Sequence, residues 1–130
     1  MSLDFKNIEK ALKITLPEHY TKAIAKYLKG PTYPENFIIT DTSYFIEINQ
    51  MLGFYGVDKV VKNMLVIGEN GGGDYYLINL KAPADQHIYV FDHEEVSESI
   101  DPDTGEIDWE AMEPYEDFEE LLEEISSIFG

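Results

Sequence analysis

At 130 residues the chain has the length of one domain and can bury roughly two-thirds of its unfolded surface around a single core, so it needs neither disulfides nor a metal staple. It contains no cysteine, which excludes thiol nucleophiles, thiolate metal sites and disulfide frameworks and suits a reducing cytoplasm. Residues 1–81 hold nine Asp/Glu against nine Lys, a balance of zero, whereas residues 82–130 hold seventeen Asp/Glu and no basic residue, so the net charge of −17 lies entirely in the last 49 residues.

That segregation disfavours nucleic acids and anionic membranes as partners, because both are bound through Lys and Arg. It suits a basic protein partner or, more simply, a solvated face that keeps the protein soluble. The opening stretch MSLDFKNIEKALKI has no apolar core of signal-peptide length, and no run approaches the ~18 residues of a spanning helix, so a cytoplasmic protein is expected.

In chain order, Phe5, Ile8 and Leu12 stand at near-helical spacing and predict a first amphipathic helix ending near Thr15. LPEHYTKAIAKYLKG predicts a second, with Pro17 in its first turn, Tyr20, Ile24, Tyr27 and Leu28 on one face, and a stop at Gly30. After a turn-rich PTYPE, the β-branched and aromatic content of NFIIT and YFIEINQML reads as strand. GFYGVDKVVKN reads as irregular. MLVIG, DYYLINL and HIYVFD are short apolar segments separated by glycine or polar corners, the pattern of neighbouring strands in a largely antiparallel sheet. YEDFEELLEEISSIF repeats Phe118, Leu121, Leu122, Ile125 and Phe129 at helical spacing, with its glutamates on the other side. The expected architecture is a single α+β domain over residues 1–130, an antiparallel sheet packed with N-terminal helices and one C-terminal helix.

The stretch ENGGGD invites a phosphate-loop reading, which its surroundings oppose. A phosphate loop opens a helix and has a basic residue nearby, whereas Gly68, Gly71, Gly72, Gly73 and Asp74 lead into a strand pattern and Glu69 and Asp74 bracket the loop with negative charge. Glycines following Asn70 supply a strand-to-strand corner instead. DHEE, residues 92–95, joins a histidine to three carboxylates, but consecutive residues of an extended chain point to opposite faces and do not converge on a metal. DPDTGEIDWE starts like a calcium loop and then places Gly105 and Met112 where acidic ligands are required, so a Pro/Gly turn in an acidic hairpin or loop explains it better. His19 and His87 have no patterned nucleophile beside them. No catalytic constellation, cofactor or metal is therefore assigned, and the oligomeric state stays open.

LPEHYTKAIAKYLKG, VIGENGGGDYYLINL, IYVFDHE and YEDFEELLEEI, in that order over nearly the whole chain, resemble the SUKH superfamily of Smi/Knr type. The positions that carry the likeness are Leu16, Pro17 and Tyr20; Ile67, Gly68, Gly72, Gly73 and Asp74; and Phe91, Asp92 and His93. Two departures stand out: Gly30 alone follows the second helix where Asn-Gly-Gly is common, and Phe91 replaces a usual tryptophan. The resemblance implies a non-enzymatic α+β domain, either an immunity protein that neutralises a bacterial toxin, often a nuclease, or a regulator of cell-wall glucan synthesis. An enzyme using Asp74 or His93 is the remaining class, with no obvious constellation to support it. On the immunity reading, a basic toxin domain would meet the acidic surface of Asp92, Glu94, Glu95, Asp101, Asp103, Asp108, Glu116, Glu119 and Glu120, with Trp109 and Tyr115 as apolar anchors. Core packing is the competing role for Trp109.

Overall fold

The computed structural model describes residues 3–30, 32–33, 36–50, 64–70, 74–91, 101, 103–104, 107–111 and 114–129. Among them are four α-helices, α1 (Phe5–Leu12), α2 (Glu18–Tyr27), α3 (Thr42–Gln50) and α4 (Phe118–Phe129), and one four-stranded sheet. Its strands β1 (Met64–Glu69), β2 (Tyr75–Asn79), β3 (Ile88–Phe91) and β4 (Pro114–Tyr115) lie side by side in chain order, each antiparallel to the next. This is the expected α+β arrangement with the expected antiparallel sheet. The stretch 53–63, read as irregular, lies outside the described residues, as do Gly71, Gly72 and Gly73.

Helix α1 begins where the Asp4 side chain accepts the Asn7 N–H (3.1 Å), the ordinary way to satisfy a free first-turn donor. It stops at Lys13, whose φ of 58° puts it in the left-handed region, and the N–H groups of Lys13 and Ile14 both return to the Glu9 carbonyl. The Glu9 carboxylate then accepts the Leu16 N–H (2.8 Å), which fixes the entry to α2. Pro17 stands immediately before α2 with φ −59°, suited to a helix start, and Tyr20, Ile24 and Tyr27 are buried as their spacing requires.

Residues 42–50 are a correction, since YFIEINQ forms helix α3 and not a strand. Asp41 starts it, accepting the Ser43 N–H with its side chain (3.0 Å) and the Phe45 N–H with its carbonyl (2.9 Å). Phe45 and Ile48, three residues apart, are the buried pair, and Asn49 clamps β1 by accepting the Val66 N–H (2.7 Å) and donating to the Val66 carbonyl (2.9 Å). NFIIT is likewise no strand, although it lies along β1: the Ile39 N–H reaches the Ile67 carbonyl (3.0 Å) and the Glu69 N–H reaches the Asn36 carbonyl (2.9 Å). Phe37, Ile38 and Ile39 are buried there.

β1 and β2 pair antiparallel, with a bulge between Val66 and Gly68. A Cβ at Gly68 would overlap the Phe37 carbonyl oxygen and stand 3.1 Å from the Tyr76 ring, so this glycine answers a close approach between two backbones. The core gathers Ile8, Tyr20, Ile24, Phe45, Leu65, Ile67, Leu77, Ile78, Ile88, Phe91, Leu121 and Ile125, all between 0 and 1% exposed. At about 1.5–3 kcal/mol for each large apolar side chain, their burial is the main term favouring the fold.

Candidate functional site

β4 joins the sheet through two residue pairs, Ile88 with Tyr115 and Tyr89 with Pro114. Neighbouring residues of a strand point to opposite faces, so Tyr115 shares a face with Ile88 and Tyr89 projects from the other. Tyr115 accordingly meets Tyr76 edge-on, with ring centroids 6.4 Å apart at 67°. Trp109, in a single 3₁₀ turn (Trp109–Ala111), packs on Tyr89 with centroids 4.8 Å apart at 58°. Both anchor residues are half-buried. The structure therefore brings each of them to the β3–β4 edge of the sheet but separates them onto its two faces, forming two patches.

On the Tyr115 face, burial first, then Tyr115, Asp74 and Glu124, push the Tyr76 phenol up to about 12. Helix α4 presents Glu119, Glu120, Glu123 and Glu124 to solvent, while Phe118, Leu121 and Ile125 point inward. The Asp117 side chain accepts the Glu120 N–H (2.9 Å) at its start. Glu116, just before the helix, is exposed. Lys26 of α2 approaches Glu119 at 3.5 Å, an open ion pair of little energetic weight.

On the Trp109 face, Asp85 is the centre. Its Oδ2 accepts the Tyr89 hydroxyl (2.7 Å), and its Oδ1 accepts the His87 backbone N–H (3.0 Å) and lies 2.6 Å from His87 Nδ1. Burial pushes the Asp85 carboxyl up, but the hydrogen bonds from Tyr89 and His87 outweigh it and leave the group below its ordinary value. Burial, and then the bond and charge of Asp85, push Tyr89 up to about 12. Asp101, Asp103 and Asp108 are exposed nearby in sequence; Asp101 accepts the Asp103 N–H (2.8 Å) and Asp108 the Glu110 N–H (3.2 Å), the turn contacts expected of a polar loop. Asp92, Glu94 and Glu95, and His93 with them, lie outside the described residues.

Asp85, His87 and Tyr89 are functional candidates that residue-by-residue reading misses. The signal is their i, i+2, i+4 spacing in ADQHIY, which puts three polar or aromatic side chains on one side of an extended chain.

The glycine corner is closed by Asn70 and Asp74. The Asn70 N–H donates to the Asp74 carbonyl (3.1 Å), its side-chain amide to the Asp74 carboxylate (3.0 Å), and the Asp74 N–H to the Asn70 side-chain oxygen (3.3 Å). The Glu69 carboxylate, on the other flank, accepts the Tyr44 hydroxyl (3.0 Å). The loop leads into β2, not into a helix, and offers carboxylates where an anion would need cations. Among the described residues no three His, Asp or Glu side chains converge to hold a metal, and no helix is long and apolar enough to cross a membrane.

A family model described as SMI1-KNR4 cell-wall matches residues 2–122. No curated protein and no solved structure matches the chain.

Proposed function

This chain belongs to the SMI1-KNR4 family, and from that premise we propose that it is a cytoplasmic immunity protein that neutralises a basic toxin domain, such as a nuclease, by binding it. The observation that carries the reading is the segregation of charge: the whole net charge of −17 falls after Lys81, and the carboxylates of α4 stand outward over an apolar stripe. A nuclease site is built to hold a polyphosphate, so a rigid array of carboxylates competes for the same cations. Complementary fields raise association rates by roughly 10- to 1,000-fold. Trp109 and Tyr115 supply two aromatic footholds, one on each face of the sheet at the β3–β4 edge, and on this reading they slow dissociation once the charges have guided the encounter.

The test is genetic and then physical. Where the source genome carries a large toxin gene with a variable C-terminal domain immediately upstream, that domain expressed alone should arrest growth, and co-expression of this protein should restore it. Continued arrest, with both proteins soluble, would overturn the proposal. A second reading, a regulatory role in cell-wall synthesis, draws on the description of the matching family; it predicts altered glucan content in a strain lacking the gene, with no toxin involved.

A further inference from the structure

The geometry assigns Asp85 a role no catalytic or metal reading supplies: we propose that it is a positioning residue for Trp109, holding the Tyr89 phenol so that the Tyr89 ring fixes how the indole is presented. The inference rests on the partner-binding reading only for the use to which Trp109 is put. The positioning itself stands on the hydrogen bonds of Asp85 and the ring contact between Tyr89 and Trp109.

Three links make the chain. Asp85, in the connection between β2 and β3, has both carboxylate oxygens engaged by different donors, Oδ2 by Tyr89 and Oδ1 by His87, and its side chain is 21% exposed. A carboxylate held at both oxygens does not rotate freely. Tyr89 is held at its other end by the sheet, paired with Leu77 of β2 and Pro114 of β4, so a hydrogen bond at the hydroxyl fixes the ring at both ends. Trp109 lies directly on that ring, at 4.8 Å and 58°, and is carried on a turn of three residues. A short turn provides little stiffness of its own, and among the described residues the Tyr89 ring is the aromatic contact against which the indole rests. Among the described residues, the charged and titratable groups around Asp85 are Tyr89 on β3, His87 on the same connection and His19 on α2, whose imidazole senses the Asp85 charge. Asp108 and Glu110, both exposed, flank the indole in sequence.

An indole held in advance loses little freedom when a partner closes on it, which is how aromatic anchors become strong contributors at an interface. Asp85 would therefore act on binding without touching the partner.

Trp109 is the one tryptophan of the chain, so its fluorescence reports this site alone. Tyr89→Phe and Asp85→Ala each remove the hydroxyl–carboxylate bond, whereas Asp85→Asn keeps an oxygen that accepts it. Acrylamide quenching of Trp109 should rise by about 1.5- to 2-fold in Tyr89→Phe and Asp85→Ala, with faster decay of its anisotropy, and remain near the parent value in Asp85→Asn. Tyr89→Phe deletes a single oxygen and keeps the ring, so it decides the matter even if Asp85→Ala folds poorly. Unchanged quenching in Tyr89→Phe, or an equal rise in Asp85→Asn, would overturn the positioning role. Charged quenchers separate this result from the partner-binding reading. With each quencher scaled to its effect on free N-acetyltryptophanamide, caesium should quench the parent more strongly than iodide if Trp109 belongs to an acidic surface. The reverse order would remove Trp109 as an anchor for a basic partner while leaving the Asp85–Tyr89 arrangement intact.

Discussion

Helix α2 turns Tyr20, Ile24 and Tyr27 inward and, with them, the Tyr20 hydroxyl and His19 Nε2, buried polar atoms that find no hydrogen-bond partner among the described residues. Helix α4, which packs beside it, turns in Phe118, Leu121 and Ile125 and leaves its four glutamates outside. Their outer faces also differ. On α2, Glu18 and Lys22 are one turn apart and pair at 2.7 Å, an attractive arrangement. On α4, Glu119 and Glu123, and Glu120 and Glu124, stand at the same four-residue spacing with like charge. The contrast teaches that the buried stripe alone is enough to place a helix. Once that stripe is purely apolar, the outer face is free to carry a charge pattern that costs stability.

The sharpest way to break the comparison is to damage both stripes. Ile24→Ala and Ile125→Ala, each at a site with 0% exposure, should lower unfolding free energy by similar amounts, about 2–5 kcal/mol. Denaturant midpoints at constant slope would show it, and a much smaller loss at Ile125 would mean that α4 is not held by its stripe. Tyr20→Phe tests the polar cost on α2. It removes a hydroxyl that has no partner among the described residues and keeps the ring beside Phe45, so stability should rise by up to about 1 kcal/mol; a loss would reveal a partner for that oxygen. Glu123→Gln with Glu124→Gln should stabilise α4 by a few tenths of a kcal/mol at low salt, and the gain should vanish by about 1 M salt, because exposed like charges are screened there. The smallest effect is a slope. Burial lowers the His19 pKa, although the Asp85 charge opposes the shift, so the unfolded chain binds the extra proton first as pH falls below 6.5. Stability from this group is complete above the unfolded value and is lost as pH falls through the folded one. His19→Gln should flatten that part of the pH profile, and an unchanged profile would assign it to other groups.

The parts of the fold legible in sequence were those with one clear period. α4 shows its stripe without interruption, and β1 to β3 are short apolar runs between turn residues, so both type and neighbourhood follow. α3 is not legible in the same way because Tyr44 and Ile46, half-buried beside the buried Phe45 and Ile48, make its apolar residues nearly continuous. One tie to the sheet, the Asn49 clamp on Val66, is a tertiary contact that no local pattern carries. Of the candidate surface, the exposure of Asp101, Asp103, Asp108, Glu116, Glu119 and Glu120 followed from composition and spacing. The division of Trp109 and Tyr115 between two faces did not, because it depends on the register of a two-residue strand. The Asp85–His87–Tyr89 alternation is written in the sequence, yet His87 taken singly reads as ordinary surface.

The close passage of Phe37 over Gly68 has a bearing on solubility inside a crowded cell. A sheet whose first strand were bare would offer its free amides and carbonyls to any other extended chain, and pairing there is how aggregation starts. Asn36 and Ile39 occupy two of those groups on β1 without adding a strand of their own, so the sheet is closed on that side by a segment that does not extend it. The missing side chain at residue 68 lets the segment lie flush. A glycine that looks like part of a turn motif thereby seats the segment that covers this edge of the sheet.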